Sequence, residues 1–265
     1  MGQPHAHVST TGLAVTLADS VLRVTLNRPD SLNSLNEELL VALTEVFGNA
    51  RDDKRVKAVR LGGAGRAFSS GGSLSADEIA TNEGRDPGEL VGAANEAIRA
   101  IVALPRPVVA AVHGPAIGGG LSLALASDIV LASETAYFML SATKLGLMPD
   151  CGASVLVSAA VGRIRALRLA LLGEKLSAAE AVRWGLVTAV YPDGRFDAEV
   201  DKVVGALVAA PAVVLGKTKE AINEAALREL NAALEREKRE QSALLASADF
   251  AEGVAAFQQR RTPVF

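Results

Sequence analysis

The sequence predicts an α/β protein in which a β/α core is followed by a helical C-terminal region. Three observations predict it. Short apolar or alternating runs alternate with longer amphipathic stretches as far as about Gly152. Two of the runs end in clusters of glycine. Past Gly152 the strand signal fades, apart from one run, and 3.6-residue periods take over. The chain has 265 residues, 49% of them hydrophobic and 22% charged, which is the composition of a soluble globular domain and excludes disorder or a collagen-like repeat.

In chain order, residues 13–17 and 21–26 read as two strands joined by a hairpin turn at Ala18, Asp19 and Ser20. A turn at Asn27-Arg28-Pro29 leads to a helix over 36–49. Residues 56–61 form a buried strand ended by Gly62, Gly63 and Gly65, and 108–112 and 129–132 are two more. The stretch 73–92 is rich in Ser, Asp, Glu, Gly and Ala, holds Pro87 and lacks a sustained apolar face, so it reads as a loop of the kind that covers active sites. Helical periods then run over 153–161, 163–172, 177–183, 196–209 and 211–246, with a strand at 186–191. The division is a core over 1–195, with residues 1–11 as a flexible N-terminus, and a helical oligomerisation region over 196–265. In the run Glu235-Arg-Glu-Lys-Arg-Glu240 the i,i+4 spacing of Glu235 and Arg239 predicts a solvated helix face.

With 27 Lys+Arg against 30 Asp+Glu the net charge is -3, so no basic field attracts nucleic acid or anionic lipid. The longest apolar stretches are too short to cross about 30 Å of hydrocarbon. The first eleven residues show neither a cationic leader nor an apolar h-region, and Cys151 is the single cysteine, so the expectation is a cytoplasmic protein without a disulfide. His5 and His7 stand in the N-terminal stretch, His113 at a strand end reads as structural, and no cluster with metal-ligand spacing is present.

Chemistry concentrates in three places. A buried strand enters His113-Gly-Pro-Ala-Ile-Gly118-Gly119-Gly120 and then an apolar helix, whose unpaired N-terminal amides suit an anion or an oxyanion, unless the glycines only permit close packing. A second glycine turn, Gly63-Ala-Gly65-Arg-Ala-Phe-Ser-Ser70-Gly71-Gly72-Ser73, also follows a strand. Two such turns can place one amide each on a single carbonyl oxygen. Neither has the G-x-G-x-x-G spacing of a dinucleotide site nor the G-x-S-x-G of a nucleophile elbow. Third, Asp150 lies in Gly146-Leu-Met-Pro-Asp-Cys-Gly152 just before a helix, where an aspartate commonly caps free amides. Cys151 beside it reads as a small packed residue, because a neighbouring carboxylate discourages the thiolate.

These residues, taken as an ordered set, resemble the crotonase family, also called the enoyl-CoA hydratase/isomerase superfamily, over nearly the whole chain. Leu26-Asn-Arg-Pro29 with Leu32-Asn33, Gly65-Arg-Ala-Phe-Ser-Ser-Gly-Gly72, the Gly118 triplet, Ser127-Asp128-Ile129, and Lys144-Leu-Gly-Leu-Met-Pro-Asp-Cys-Gly152 come in the family's order and approximate spacing. Leu176-Ser-Ala-Ala-Glu-Ala, Trp184-Gly-Leu-Val and Phe257-Gln-Gln-Arg-Arg-Thr-Pro-Val-Phe265 complete the set.

The resemblance implies a crotonase-like spiral of ββα units with a C-terminal helical trimerisation region, assembled as a trimer or a dimer of trimers. It implies an acyl-CoA thioester ligand, with CoA entering as part of the substrate and no separate cofactor. Gly72 and Gly119 match the two oxyanion-hole donors. Leu32 and Ser70 match positions that line the CoA site, and Phe257 and Arg260 fall where C-terminal side chains approach the adenosine end. The two glutamates with which hydratases orient water are replaced by Ser122 and Ala142, so water addition is expected to be weak or absent. Asp150 matches the carboxylate of the branch that isomerises 1,2-epoxyphenylacetyl-CoA and shifts enoyl-CoA double bonds. The resemblance therefore implies an isomerase with Asp150 as acid and base. Two alternatives stand beside it: a paralogue that binds acyl-CoA without turnover, and an enzyme like the aryl-CoA dehalogenases, in which the aspartate attacks as a nucleophile.

Overall fold

The computed structural model describes residues 9, 10, 12–75 and 86–265. It opens on a hairpin, β1 (Leu13–Ala18) and β2 (Val21–Leu26), paired antiparallel with Ala18 opposite Val21. Asp19 and Ser20 between them both take positive φ, the backbone of a type I′ turn, whose twist matches that of the strands. There follow α1 (Glu37–Asp52), β3 (Ala58–Gly63), α2 (Pro87–Val102), β4 (Val108–Val112), β5 (Pro115–Ile117), α3 (Gly119–Ala126), β6 (Ile129–Ser133) and β7 (Tyr137–Met139). The rest is α4 (Ala153–Val161), α5 (Arg163–Leu172), β8 (Leu176–Ser177), α6 (Ala178–Trp184), β9 (Ala189–Tyr191), α7 (Phe196–Ala209), α8 (Ala212–Ala226), α9 (Leu230–Leu245) and α10 (Ala248–Gln259).

The larger sheet has the order β1-β2-β3-β4-β6-β9, parallel from β2 onward. Its side chains separate with the period of two that a pleated strand imposes. Leu22, Val24, Val59, Leu61, Val108 and Ala110 face a large core shared with α1, α2 and α3. Val21, Ala58, Val109, Ala111 and Leu131 face the other way, where Phe196, Val200 and Val204 of α7 cover them. All five residues of β4 are buried, which is why it reads in sequence as an unbroken apolar run.

A smaller sheet, β5-β7-β8, stands beside the first. Isolated bridges extend it: Ser69 pairs with Ala116, and Leu35 pairs with Gly72. The parallel strands β2, β3, β4 and β6 are thus each followed by a short extended segment in the second layer. This repeated step is the ββα spiral, and it stacks the two glycine turns against each other.

Four of the elements expected from sequence have different limits in the structure. The loop expected over 73–92 ends earlier, since 87–92 are the first turns of α2, with Asp86 accepting from Gly88 N at 2.9 Å and Pro87 at the first position. Of its buried apolar residues Val91, Ala94, Ala97, Ile98 and Ile101, all but Val91 lie beyond residue 92, so 73–92 alone carries no apolar face. Residues 76–85 of that loop, like 1–8 and 11 of the N-terminal stretch, lie outside the described residues. The strand placed at 56–61 is Ala58–Gly63, because pairing with β2 sets its limits, and that placed at 186–191 starts at Ala189. The helix expected over 211–246 is two helices, broken around Leu227. A single straight one would be about 54 Å long, more than the width of a globular chain of this size.

Candidate functional site

The Asn27-to-Leu35 segment places the first glycine turn. Arg28 N donates to Asn33 Oδ1 at 2.8 Å, and Asn33 Nδ2 donates to Ala64 O at 2.9 Å and Ala67 O at 2.7 Å. Leu32 and Asn33 both take left-handed φ, which turns the Leu32 carbonyl toward Ser70 N at 2.9 Å. Leu35 N then donates to Gly71 O at 2.8 Å. Asn33 is buried with every polar atom paired, so the motif acts as a fixed bracket for 64–71.

The second glycine turn presses against the first. Gly71 has φ +82, and a Cβ on it would stand 2.5 Å from Ile117 O and 3.4 Å from Gly119 N. Only glycine fits that approach. Gly118 precedes α3 with φ +52 and no side-chain cap, while Gly119 and Gly120 are buried in the first turn. A Cβ on Gly119 would meet Leu35 Cδ1 at 3.1 Å and Cys151 Sγ at 3.4 Å. Gly72, the turn carrying Gly119, and the Asp150-Cys151 turn therefore come together from four parts of the chain, with Leu35 between them.

Asp150 is held at three points. Its backbone carbonyl accepts from Ser122 Oγ at 3.2 Å. Oδ1 accepts from Cys151 Sγ at 3.3 Å, and Oδ2 from Gln241 Nε2 at 3.1 Å. Burial pushes its carboxyl above the ordinary aspartate range, and the bonds from Cys151 and Gln241 partly oppose that push. Cys151 is buried, and burial followed by the charge and hydrogen bond of Asp150 moves its thiol well above the usual range. It behaves as a packed donor and not as a nucleophile.

The helix-cap reading of Asp150 does not hold, because its side chain bonds no amide of α4. Glu237 of α9 does that work: its carboxylate accepts from Gly152 N at 2.7 Å, from Ser154 N at 3.0 Å and from the Ser154 hydroxyl. The charge run is correspondingly not a uniform solvated face. Glu235 pairs with Arg99 of α2 at 2.6 Å and Arg239 with Glu240 at 2.9 Å, while Glu237 is fully buried. Sequence reading missed both Glu237 and Gln241. A signal was available, since Leu230, Ala233, Leu234, Glu237 and Gln241 recur at spacings of three and four and all lie on the buried stripe of α9.

The remaining predicted positions spread outward. Ser70 is half-buried with its hydroxyl donating to Ser31 O at 3.1 Å, and Leu32 beside it is half-buried. Ala142 opens a short 3-10 turn on the approach to Asp150. Phe257 and Arg260 stand exposed at the far end of α10, whose body packs on Leu145 and Gly146. Within one chain they are not part of the Asp150 cluster. His113 Nε2 lies 2.9 Å from Gly65 O and supports the first glycine turn. Two clefts of about 830 and 860 Å³ open elsewhere, one beside Arg60 and Lys175 and the other between α2 and α8, and neither is lined by Asp150, Gly72 or Gly119. Chemistry, not cleft size, singles out the Asp150 cluster. Among the described residues no group of three or more His, Cys, Asp or Glu could hold a metal ion, and no helix is long and apolar enough to cross a membrane.

A spiral of ββα units with two apposed glycine turns defines the crotonase fold, and the chain belongs to the enoyl-CoA hydratase/isomerase family, whose sequence model matches residues 16–265. Among its relatives, 1,2-epoxyphenylacetyl-CoA isomerase of Escherichia coli is 39% identical over 92% of this chain and 94% of that one. A probable enoyl-CoA hydratase of Rhodobacter capsulatus is 38% identical over 94% and 95%. The crystal structure of an enoyl-CoA hydratase from Mycobacterium avium subsp. paratuberculosis superposes with a TM-score of 0.90 at 57% identity, covering 96% of this chain and 98% of that one.

Proposed function

We propose that this protein is an isomerase of acyl-CoA thioesters that shifts a double bond, or isomerises a ring epoxide, through an enolate. The observation that carries the reading is Asp150: a half-buried carboxylate beside the Gly119 turn, held only by neutral donors, with the adjacent helix capped by Glu237 instead. The amides of Gly72 and Gly119 hold the thioester oxygen as negative charge develops on it. Asp150 takes a proton from C2 and returns it at C4. A carboxyl raised above the ordinary range suits the first half of that exchange, because it is a stronger base when ionised than an ordinary aspartate. Ser122 is fully buried and spends its hydroxyl on Asp150 O, and Ala142 has no polar group, so neither prepares a water molecule for addition. The isomerase among the relatives supports the reading, and CoA enters only as part of the substrate, with no further cofactor.

The test is incubation with 3-enoyl-CoA and 2-enoyl-CoA, following double-bond migration and water addition separately. Migration without hydration is expected. Binding of both thioesters with neither reaction would replace this reading with an acyl-CoA-binding protein.

The same reading includes a homotrimer or a dimer of trimers, in which Phe257 and Arg260 reach the CoA of a neighbouring subunit. Ile164, Leu167, Leu171 and Leu172 leave an exposed apolar face on α5, which is costly to leave in water. Light scattering at micromolar concentration should give three or six copies, and a monomer would remove the shared-site arrangement.

A further inference from the structure

We infer that Gln241 is a positioning residue for Asp150, presented by α9 together with Glu237 as a two-point clamp on the turn 148–154. The inference rests on Asp150 being the proton-transfer group of the proposed reaction. Gln241 and Glu237 stand one helical turn apart on the buried stripe of α9, and both point at the same turn. Glu237 fixes its C-terminal half at Gly152 and Ser154.

Gln241 fixes the other half. Its Oε1 accepts from Met148 N at 3.2 Å, while Nε2 donates to Met148 O at 3.0 Å and to Asp150 Oδ2 at 3.1 Å. The two bonds to the Met148 peptide set which end of the amide faces Asp150, because a flipped amide would aim its oxygen at both Met148 O and Asp150 Oδ2. A donor is thereby locked against one carboxylate oxygen.

The identity of that donor matters chemically. A lysine or arginine there would form an ion pair and make the carboxylate a weaker base. An amide neither takes nor gives a proton, so it aims the carboxylate and favours its ionised form without neutralising it. Among the described residues the titratable groups around Asp150 are Cys151 on its own turn and Glu237 on α9; Ser122 from α3 contributes a hydroxyl that does not titrate.

The experiment compares wild type, Gln241→Met, Gln241→Glu and Asp150→Asn as full-length chains. It reads the pH profile of 3-enoyl-CoA isomerisation and the ¹³C-detected titration of the Asp150 carboxyl, identified by its loss in Asp150→Asn. Gln241→Met keeps the volume and removes all three bonds. It should lower kcat by about tenfold or more, leave KM within about threefold, and move both the acid limb and the carboxyl titration to higher pH. Gln241→Glu changes a single group and so keeps the test open if the Met variant does not fold. It sets a second carboxyl against Asp150 and should also raise the acid limb.

Superimposable profiles and titrations in both Gln241 variants, beside an inactive Asp150→Asn, would overturn the inference and leave the proposed reaction intact. An Asp150→Asn protein that keeps the wild-type rate would overturn the proposed reaction, and the positioning role with it.

Discussion

Two aspartates of this chain, both only partly shielded from water, meet different partners. Asp128, at the start of β6, accepts from Val108 N at 2.7 Å and faces Lys219 of α8 at 2.9 Å, and Lys219 donates further to the carbonyls of Ile101 and Arg106. Asp150 meets a thiol, an amide and no cation. Burial raises the carboxyl of each above the usual range. At Asp128 the largest opposing influence is the charge of Lys219, whose own ammonium burial pushes down; at Asp150 only neutral hydrogen bonds oppose. The first arrangement ties α8 to the sheet. The second has no cation, as Glu237 has none, but where Glu237 spends its carboxylate on the amides of Gly152 and Ser154, Asp150 bonds no helix amide, which fits the proton-transfer role proposed for it.

If that distinction is right, the two sites should break differently. Asp150→Asn removes the proton acceptor and keeps shape, so isomerisation should fall by the 10²- to 10⁴-fold typical of lost acid–base catalysis, that is about 3–5 kcal/mol of barrier. Its melting temperature should equal or exceed that of wild type. The sign follows from linkage: the folded-state value is raised, so the contribution of this group is fully present below the unfolded value and is lost as pH rises through the folded one, and an amide carries no such loss. Loss of stability with the rate retained would make Asp150 structural after all.

Lys219→Met should do the reverse, costing about 1–3 kcal/mol of stability because Asp128 loses its cation while keeping the bond from Val108 N, with kcat unchanged at temperatures where the variant is folded. The deficit relative to wild type should shrink on acidification, as Asp128, raised further without its partner, takes up a proton. A deficit independent of pH would show that lost packing of the lysine stem, not charge, is responsible.

Smaller effects sharpen the contrast. The acid limb of kcat/KM should have its midpoint above the ~3.9 of an ordinary aspartate, because Asp150 must be ionised to accept a proton and burial raises its value. A limb at or below that value would remove Asp150 as the titrating group.

Much of this molecule was legible from residues alone, for reasons that are local. β4 reads as a strand because both its faces are covered, so every residue is apolar. The hairpin at Asp19-Ser20 and α1 after Asn36, which accepts from Leu39 N at 3.1 Å, follow from neighbouring residues. The glycine turns announce themselves because no side chain fits at Gly71 or Gly120. Asp150 was visible as a candidate, but whether it caps a helix or is free for chemistry was not.

Tertiary structure decided that point through residues nearly ninety positions away. Glu237 looked like one charge in a solvated run, and only the docking of α9 against α2 and α4 turns it inward, to the cap position that Asp150 leaves open. Gln241 was silent for the same reason. A helical period states which residues share a face, and the sequence does not say what that face will meet. The strands β5, β7 and β8, two or three residues each, were missed on the same ground: they are too short to carry a pattern and exist because the spiral brings their partners alongside. Local pattern marked most of the longer elements and Asp150 as a candidate, whereas long-range packing chose the short strands and the neighbours of the Asp150 carboxylate, because those depend on contacts far apart in the chain.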